Sequence, residues 1–356
     1  MCRLTIHATL RRNAHAAEFS MQSGRKRFLL LYALITGFAI TCCSQATPGP
    51  TSGTGWTLVW SDEFNGPNGS PVDRSKWVPE TGGDGWGNHE LEYYTDRIEN
   101  ASIHDGNLVV KAISEKYTGP DGFTRNYTSA RLKTFGKFSQ TYGRFEARIK
   151  IPYGQGMWPA FWMLGDDIEK VGWPACGEVD IMENIGKEPA IVHGSIHGPG
   201  YIGDTGIEAP YKLPAKRFAD DFHIFAVEWD ADSVSFYVDQ NLYVRRTRAD
   251  LQPGWKWVFD KPFFLILNLA VGGDWPGKPD SSTVFPQSML VDYVRVYQRS
   301  AAPTKIDVEK RVDSILSKMP LAEKIELIGG INDFYTRPIP RLGIPSLRMS
   351  DSGLIE

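Results

Sequence analysis

The chain is 356 residues long, with 42% hydrophobic, 23% charged and 12% aromatic residues. That balance excludes collagen-like, low-complexity and coiled-coil chains and leaves one large globular domain or two smaller ones. The formal net charge of −3 is unevenly spread: residues 1–43 carry +5, residues 304–356 are neutral, and the body between them carries −8. An acidic body argues against a nucleic-acid partner, because phosphate binding needs a basic face. All eleven tryptophans fall between positions 56 and 275, so composition alone separates a head, an aromatic-rich middle and a tail.

The head reads as an export segment spanning 1–43. Arg25-Lys26-Arg27 precedes an apolar run at 28–40, the charged and apolar regions of a secretory signal. The run is shorter than the roughly 20 residues of a membrane span, so no span is expected. Met21 offers a second start inside the basic head. Cys42 and Cys43 follow the apolar run, and two readings stay open: cleavage and release, or a lipid anchor on one of these cysteines. The expected location is secreted, periplasmic or on the outer cell surface, and 44–55 reads as a linker. The remaining cysteines, Cys2 and Cys176, give no disulfide framework and no cysteine zinc site.

From 56 to 299, short β-rich runs alternate with Gly, Pro, Asn and Asp. Strands are expected at 56–60, 108–113, 130–134, 142–151, 160–164, 178–185, 191–197, 222–229, 233–238, 242–247, 263–271 and 289–297. Asp230-Ala-Asp232 and Asp239-Gln-Asn241 supply turn chemistry. No stretch here keeps a helical period for ten residues. The expected fold is all-β, a two-sheet sandwich of the jelly-roll, concanavalin-like kind, with one sheet curved into a concave groove. Indole faces stack on the apolar faces of pyranose rings and carboxylates accept from their hydroxyls, so an aromatic, acidic groove suits a sugar chain.

The sharpest local feature is Gly177-Glu178-Val179-Asp180-Ile181-Met182-Glu183-Asn184. Alternation puts Glu178 and Asp180 on one face, with Val179 and Ile181 toward the core. Strict alternation would send Glu183 into the core, where an unpaired carboxylate is costly. One extra residue near Met182, a β-bulge, returns all three acids to one face. Such a trio fits glycoside hydrolysis, which uses one carboxyl as nucleophile and another as acid/base; in retaining enzymes they stand roughly 5–5.5 Å apart. The competing reading is a solvated or calcium-binding acidic strand, but calcium favours loops with Gly and Asn between its ligands.

Trp158-Pro-Ala-Phe-Trp162-Met-Leu, Trp173-Pro and Gly177-Glu-Val-Asp-Ile-Met-Glu-Asn-Ile-Gly186 together resemble glycoside hydrolase family 16, in its laminarinase branch of endo-β-1,3-glucanases. The likeness runs from about 56 to 297. It takes in Trp60-Ser-Asp-Glu-Phe-Asn-Gly66, Asn88-His-Glu-Leu-Glu-Tyr-Tyr-Thr95, Thr128-Ser-Ala-Arg131-Leu-Lys-Thr134, His193-Gly-Ser-Ile-His197, Asn268-Leu-Ala-Val-Gly-Gly-Asp-Trp275 and Met289-Leu-Val-Asp-Tyr-Val-Arg-Val-Tyr297. The resemblance implies Glu178 as nucleophile, Asp180 as assisting acid and Glu183 as acid/base. It implies sugar contacts from Asn88, Glu90, Arg131, Asn268 and Trp275, stacking platforms at Trp158, Trp162 and Trp173, and His197 beside Glu183 to tune its proton. Where the family's motif after Asn88 has Gln, this chain has Glu92. No cofactor is implied for catalysis. The resemblance does imply a structural calcium on the convex side, held by Glu63, Gly106 and Asp292.

After a linker at 300–304, residues 305–356 read differently. Val308, Val312, Ile315, Leu316 and Met319 recur at helical spacing, and Pro320 is placed to open a second helix along Leu321, Ile325 and Ile328. Phe334 to Asp351 resembles the first residues of glycoside hydrolase family 3 β-glucosidases, but Ser352-Gly-Leu-Ile-Glu356 departs from that pattern. Some 53 residues cannot supply that family's barrel, so the segment is expected to be a non-catalytic fragment. The expected function is a secreted, monomeric, retaining endo-β-glucanase acting on laminarin-type glucans, with mixed β-1,3/1,4-glucans left open as a second substrate. The alternative is a non-catalytic β-glucan-binding module on the same fold.

Overall fold

The computed structural model describes residues 55–300, 305–329, 331 and 335–346. The export segment, Met21, Cys42, Cys43 and Asp351 lie outside them. One sheet has ten strands: β1 (Trp56–Asp62), β3 (Glu92–Tyr94), β4 (Ala101–His104), β5 (Asn107–Thr118), β6 (Thr124–Ser129), β8 (Gly143–Lys150), β13 (His223–Trp229), β14 (Ser233–Val238), β15 (Asn241–Thr247) and β17 (Gln287–Arg299). The other has seven: β2 (Val78–Glu80), β7 (Arg131–Lys133), β9 (Met157–Gly165), β10 (Glu178–Glu183), β11 (Ile191–His197), β12 (Ile207–Lys212) and β16 (Phe263–Val271). Its order is β12-β11-β10-β9-β16-β7-β2, all antiparallel. The expected two-sheet sandwich is therefore the observed one.

Alternation decides which side chains enter the core between the sheets. On β9, Met157, Phe161 and Met163 are fully buried, while Trp158, Ala160, Trp162 and Leu164 line a groove on the opposite face. On β11, Val192 and Ile196 pack inward and Ser195 and His197 face the groove. Central β16 is buried along its whole length. Leu265, Leu267, Leu269 and Val271 join the main core; Phe264 and Ile266 form a smaller cluster with Leu164 and Cys176. That second cluster underlies the groove floor and holds Trp162 against it.

The β10 ladder contains the expected irregularity. On β9, Trp162 faces Asp180 and the adjacent Phe161 faces Met182, so Ile181 is the extra residue. Across the other edge, Ser195 faces Asp180 and His193 faces Glu183, again three steps against two. Val179, Ile181 and Met182 all reach the core, and Glu178, Asp180 and Glu183 all line the groove.

In the tail, α2 (Lys305–Ser317) and α3 (Leu321–Gly329) occupy the expected helical stretches on either side of Pro320; a one-turn α1 (Ile168–Val171) precedes them within the sandwich. Leu321 and Ile325 stand exposed on α3, and Arg341 pairs with Glu323. Among the described residues, no helix is long and apolar enough to cross a membrane.

Phe161 packs where the bulge meets β9, with none of its surface exposed. Phe161→Ala is expected to lower unfolding free energy by about 3–5 kcal/mol through lost transfer energy and a cavity. Chemical denaturation of the two proteins checks this; a loss below about 1 kcal/mol would show that the site collapses around the smaller side chain.

Candidate active site

The groove has a volume of about 1180 Å³, and its walls carry five tryptophans and a line of acids. That exceeds the roughly 300–1,000 Å³ of an ordinary small-molecule pocket and suits a chain of rings. The acid trio from β10 occupies its centre. Each acid has its own fixed donor. The Trp173 indole donates to Glu178 Oε2 at 2.7 Å, and the Trp158 indole to Glu183 Oε1 at 3.0 Å. Ser195 Oγ donates to Asp180 Oδ2 at 2.6 Å. Each indole fixes one carboxyl oxygen while adding no charge, leaving the other oxygen available.

His197 lies beside this trio, where its charge lowers the pKa of Glu183, but its hydrogen bond goes to another acid. Its Nε2 stands 3.1 Å from Asp180 Oδ2, so its contact is the middle acid rather than Glu183. The β10–β11 register explains the difference: Glu178 faces His197, and Glu183 faces His193. His193 in turn is drawn to Glu208, its Nδ1 2.5 Å from Oε1.

Burial first, then the charge on Asp180, pushes Glu178 up to about 8. Burial also lifts Glu183 well above the carboxylate range, and here the charges of both Asp180 and Glu178 add to it. Glu178 is relieved by His197, the Trp173 hydrogen bond and Arg131. Glu183 is relieved in turn by His197 and the Trp158 hydrogen bond. For His197, burial alone would lower the pKa. The Asp180 hydrogen bond and the charges of all three acids outweigh it and push the imidazole up to about 9.

A second wall faces the acids. The Arg131 guanidinium lies 4.7 Å from the ring centres of both Trp86 and Trp162. Its Nε donates to Glu80 at 2.6 Å, and Lys133 holds the other Glu80 oxygen at 2.7 Å. The Trp162 indole donates to Asn268 Oδ1 at 2.7 Å, and Asn268 donates to the Tyr94 hydroxyl at 3.1 Å. Tyr94 donates to Glu90 at 3.0 Å. Trp275 meets the Trp158 ring edge-on at the far end.

Every residue expected to meet substrate therefore lines one groove: Asn88, Glu90, Arg131, Trp158, Trp162, Trp173, His197, Asn268 and Trp275. Sequence reasoning missed Ser195, Trp86, Glu80 and Tyr94. Ser195 was within reach, since it shares a strand face with His193 and His197. Glu80 was not, because it meets Arg131 across 51 residues of chain.

The expected calcium ligands are arranged differently. Both Glu63 oxygens accept from Arg295, at 2.9 and 2.8 Å, and Asp292 accepts from Arg148 at 2.7 Å. Guanidinium groups on both carboxylates repel a divalent cation, so these residues as they stand do not fit one. Within the groove, Glu178, Asp180 and His197 bring ligand atoms within 4.8 Å of one another. Their Ser195, Trp173 and mutual hydrogen bonds already use those atoms.

A two-sheet β-sandwich whose groove aligns buried carboxyls beside indoles defines the class: a glycoside hydrolase of the sandwich type. Residues 87–295 match the family model described as glycosyl hydrolases family 16. A beta-glucanase from Rhodothermus marinus is 42% identical over 281 residues, covering 77% of this chain and 96% of that protein. A glucan endo-1,3-beta-glucosidase A1 from Niallia circulans is 39% identical, covering 72% of this chain but only 40% of its own length. The laminarinase catalytic domain from Thermotoga maritima superposes with a TM-score of 0.66 at 50% identity, covering 69% of this chain and 99% of that domain. The chain belongs to glycosyl hydrolases family 16.

The site predicts an unusual histidine titration. The folded pKa of His197 lies above the ordinary imidazole value of 6.5, so its contact with the acids stabilises fully below that range and fades as pH rises through about 9. Proton NMR of the imidazole should give a midpoint near 9, falling in Asp180→Asn; a midpoint at or below 6.5 would show that His197 is neutral in the working enzyme.

Proposed function

We propose that this enzyme is a retaining endo-β-glucanase that cleaves β-1,3-glucosidic bonds in laminarin-type glucans, with mixed β-1,3/1,4-glucan as a second substrate. The observation that carries the reading is the bulge at Ile181, which turns three acids onto one face of an aromatic groove. Relatives support the substrate class. They include the proteins above and a Pyrococcus furiosus endo-beta-1,3-glucanase of 50% identity. A 39% identical structure described as a non-specific endo-beta-1,3(4)-glucanase supports the second substrate.

In this reading Glu178 attacks the anomeric carbon as its carboxylate, the form that the His197 charge and the Trp173 hydrogen bond favour, with Trp173 holding Oε2 and leaving Oε1 to bond. Glu183, whose carboxyl burial and the neighbouring acids keep protonated, gives its proton to the departing glycosidic oxygen while Trp158 fixes its Oε1. The bond from carbon to leaving oxygen breaks as the bond to Glu178 forms. Glu183, now ionised, takes a proton from water as the water oxygen bonds to the anomeric carbon and the bond to Glu178 breaks, which frees the Glu178 carboxylate and releases the sugar with its original configuration. Asp180, held by Ser195 and His197, keeps the strand's charge in place between them. Trp158, Trp162 and Trp173 offer stacking faces for successive rings.

We also read the 25–40 segment as an export signal, placing the enzyme outside the cytoplasm as a monomer. The mass of the mature N-terminus decides between release and a lipid on Cys42 or Cys43; an intact head in the mature protein would remove the export reading.

Glu178→Ala should abolish reducing-sugar release from laminarin. Glu183→Gln should lower kcat by about 10²–10⁴, the scale of general-acid catalysis. Proton NMR of the first product should show the β anomer. Equal release by wild type and Glu178→Ala, or an initial α anomer, would sink the assignment.

A further inference from the structure

A second carboxyl pair stands behind the groove wall, and the chemistry above does not use it. Glu90 and Glu92 lie two residues apart. Glu90 lines the groove with 4% of its surface exposed; its Oε2 accepts from Tyr94, and its Oε1 from Asn88 Nδ2 at 3.4 Å. Glu92 has no exposed surface and does not line the groove. Its Oε2 accepts the Val271 N–H at 2.6 Å.

Glu92 Oε1 is buried with no hydrogen-bond donor to it. An ionised carboxylate there would have one oxygen unsatisfied in the core and a second carboxylate beside it. A protonated Oε1 resolves both problems, since its O–H finds an acceptor in Glu90. Burial, then the charge and hydrogen bond of Glu90, lift Glu92 well above the carboxylate range. No counter-cation relieves the pair directly. The groups around it are Tyr94 on its own strand, which also feels Arg131, Tyr127 opposite it on β6, and the uncharged Asn268 and Val271 on β16.

We propose that Glu92 is a positioning residue: a neutral carboxyl behind the groove wall that donates its O–H to Glu90 and so aims Glu90 at substrate hydroxyls. Three donors then converge on Glu90, from Asn88, Tyr94 and Glu92, and the Tyr94 arm continues through Asn268 to Trp162. Glu90 thus keeps its direction before any sugar arrives. The proposal rests on the glucan-cleaving reading of the groove.

The test compares wild type with Glu92→Gln and Glu92→Leu. The Gln amide reproduces a neutral carboxyl, its oxygen accepting from Val271 and its NH₂ donating to Glu90. It should keep KM and kcat on laminarin within about twofold. Leu removes the donor and should raise KM by about tenfold or more, the scale of one hydrogen bond to a charged group, with kcat less affected. A Glu92→Gln protein as impaired as Glu92→Leu would overturn the proposal.

Thermal unfolding against pH gives a readout that packing alone would not move. A folded pKa above the unfolded one means that wild type loses stability relative to Glu92→Gln as pH rises from the ordinary carboxylate range, with the two converging at acid pH. Glu178 and Glu183 contribute equally to both proteins and cancel. A gap that is constant, or that reverses so that wild type gains with pH, would overturn the proposal even if Glu92→Leu fails to fold. Inactivity of wild type on every β-glucan would overturn the groove's substrate reading, and Glu90's substrate role with it. The unfolding gap would still report separately whether Glu92 is neutral.

Discussion

Three carboxyls must share one face of a six-residue strand whose other side chains belong in the core, and the rest of the groove follows from how β10 meets that demand. Val179, Ile181 and Met182 need burial, and a regular ladder could satisfy them only by burying Glu183 as well. A bulge disturbs one step of hydrogen bonding; an unpaired carboxylate in the core costs several times more. The strand's start is fixed too. Gly177 has φ +79°, and a Cβ there would meet Val258 Cγ2 at 2.9 Å and the Phe263 ring at 3.0 Å. Glycine is the residue that lets the chain enter β10 close to the core. Strand phase is thereby set on both sides of Asp180.

Putting acids together is only half of an acid/base site; they must also differ. The two glutamates share burial and Asp180, and what separates them is mainly position. Both feel Asp180 and His197; Glu183 also feels the charge of Glu178, whereas Glu178 is relieved by Arg131. Indoles suit this arrangement better than cations would. Trp158 and Trp173 orient their carboxyls without pulling either pKa down as far as a guanidinium does. The donors are in place before substrate binds, so no reorganisation is needed at the moment of reaction.

Much of this was legible in the chain. Strands 191–197, 233–238 and 263–271 have the bounds expected of them, because each is long, rich in apolar residues and flanked by turn chemistry. The bulge was legible too, since the polarity of six residues permits no regular alternation. The three-residue strands at Val78–Glu80 and Glu92–Tyr94 were not, because a run that short has no period to read. Nor was the partner of His197, which depends on a register fixed by the bulge itself. The environment of Glu92 was hidden for a further reason. Nothing in its motif marks it as buried, and only the meeting of β3 with Val271 puts its side chain in the core.

The acidity of the body takes on a sharper meaning from where cations are. Burial would raise Glu63 and Glu80, yet Arg295 holds the first and Arg131 with Lys133 the second below the carboxylate range. These acids are permanently charged and serve as braces between strands. Burial likewise raises Glu178, Glu183 and Glu92, but among the described residues no lysine or arginine is bonded to any of them. Their partners are indoles, a backbone N–H and one another. The same residue type therefore does two jobs on one fold: Glu63 and Glu80, bonded to cations, fix structure, while at Glu178, Glu183 and Glu92 the burial that cations do not offset favours the protonated form.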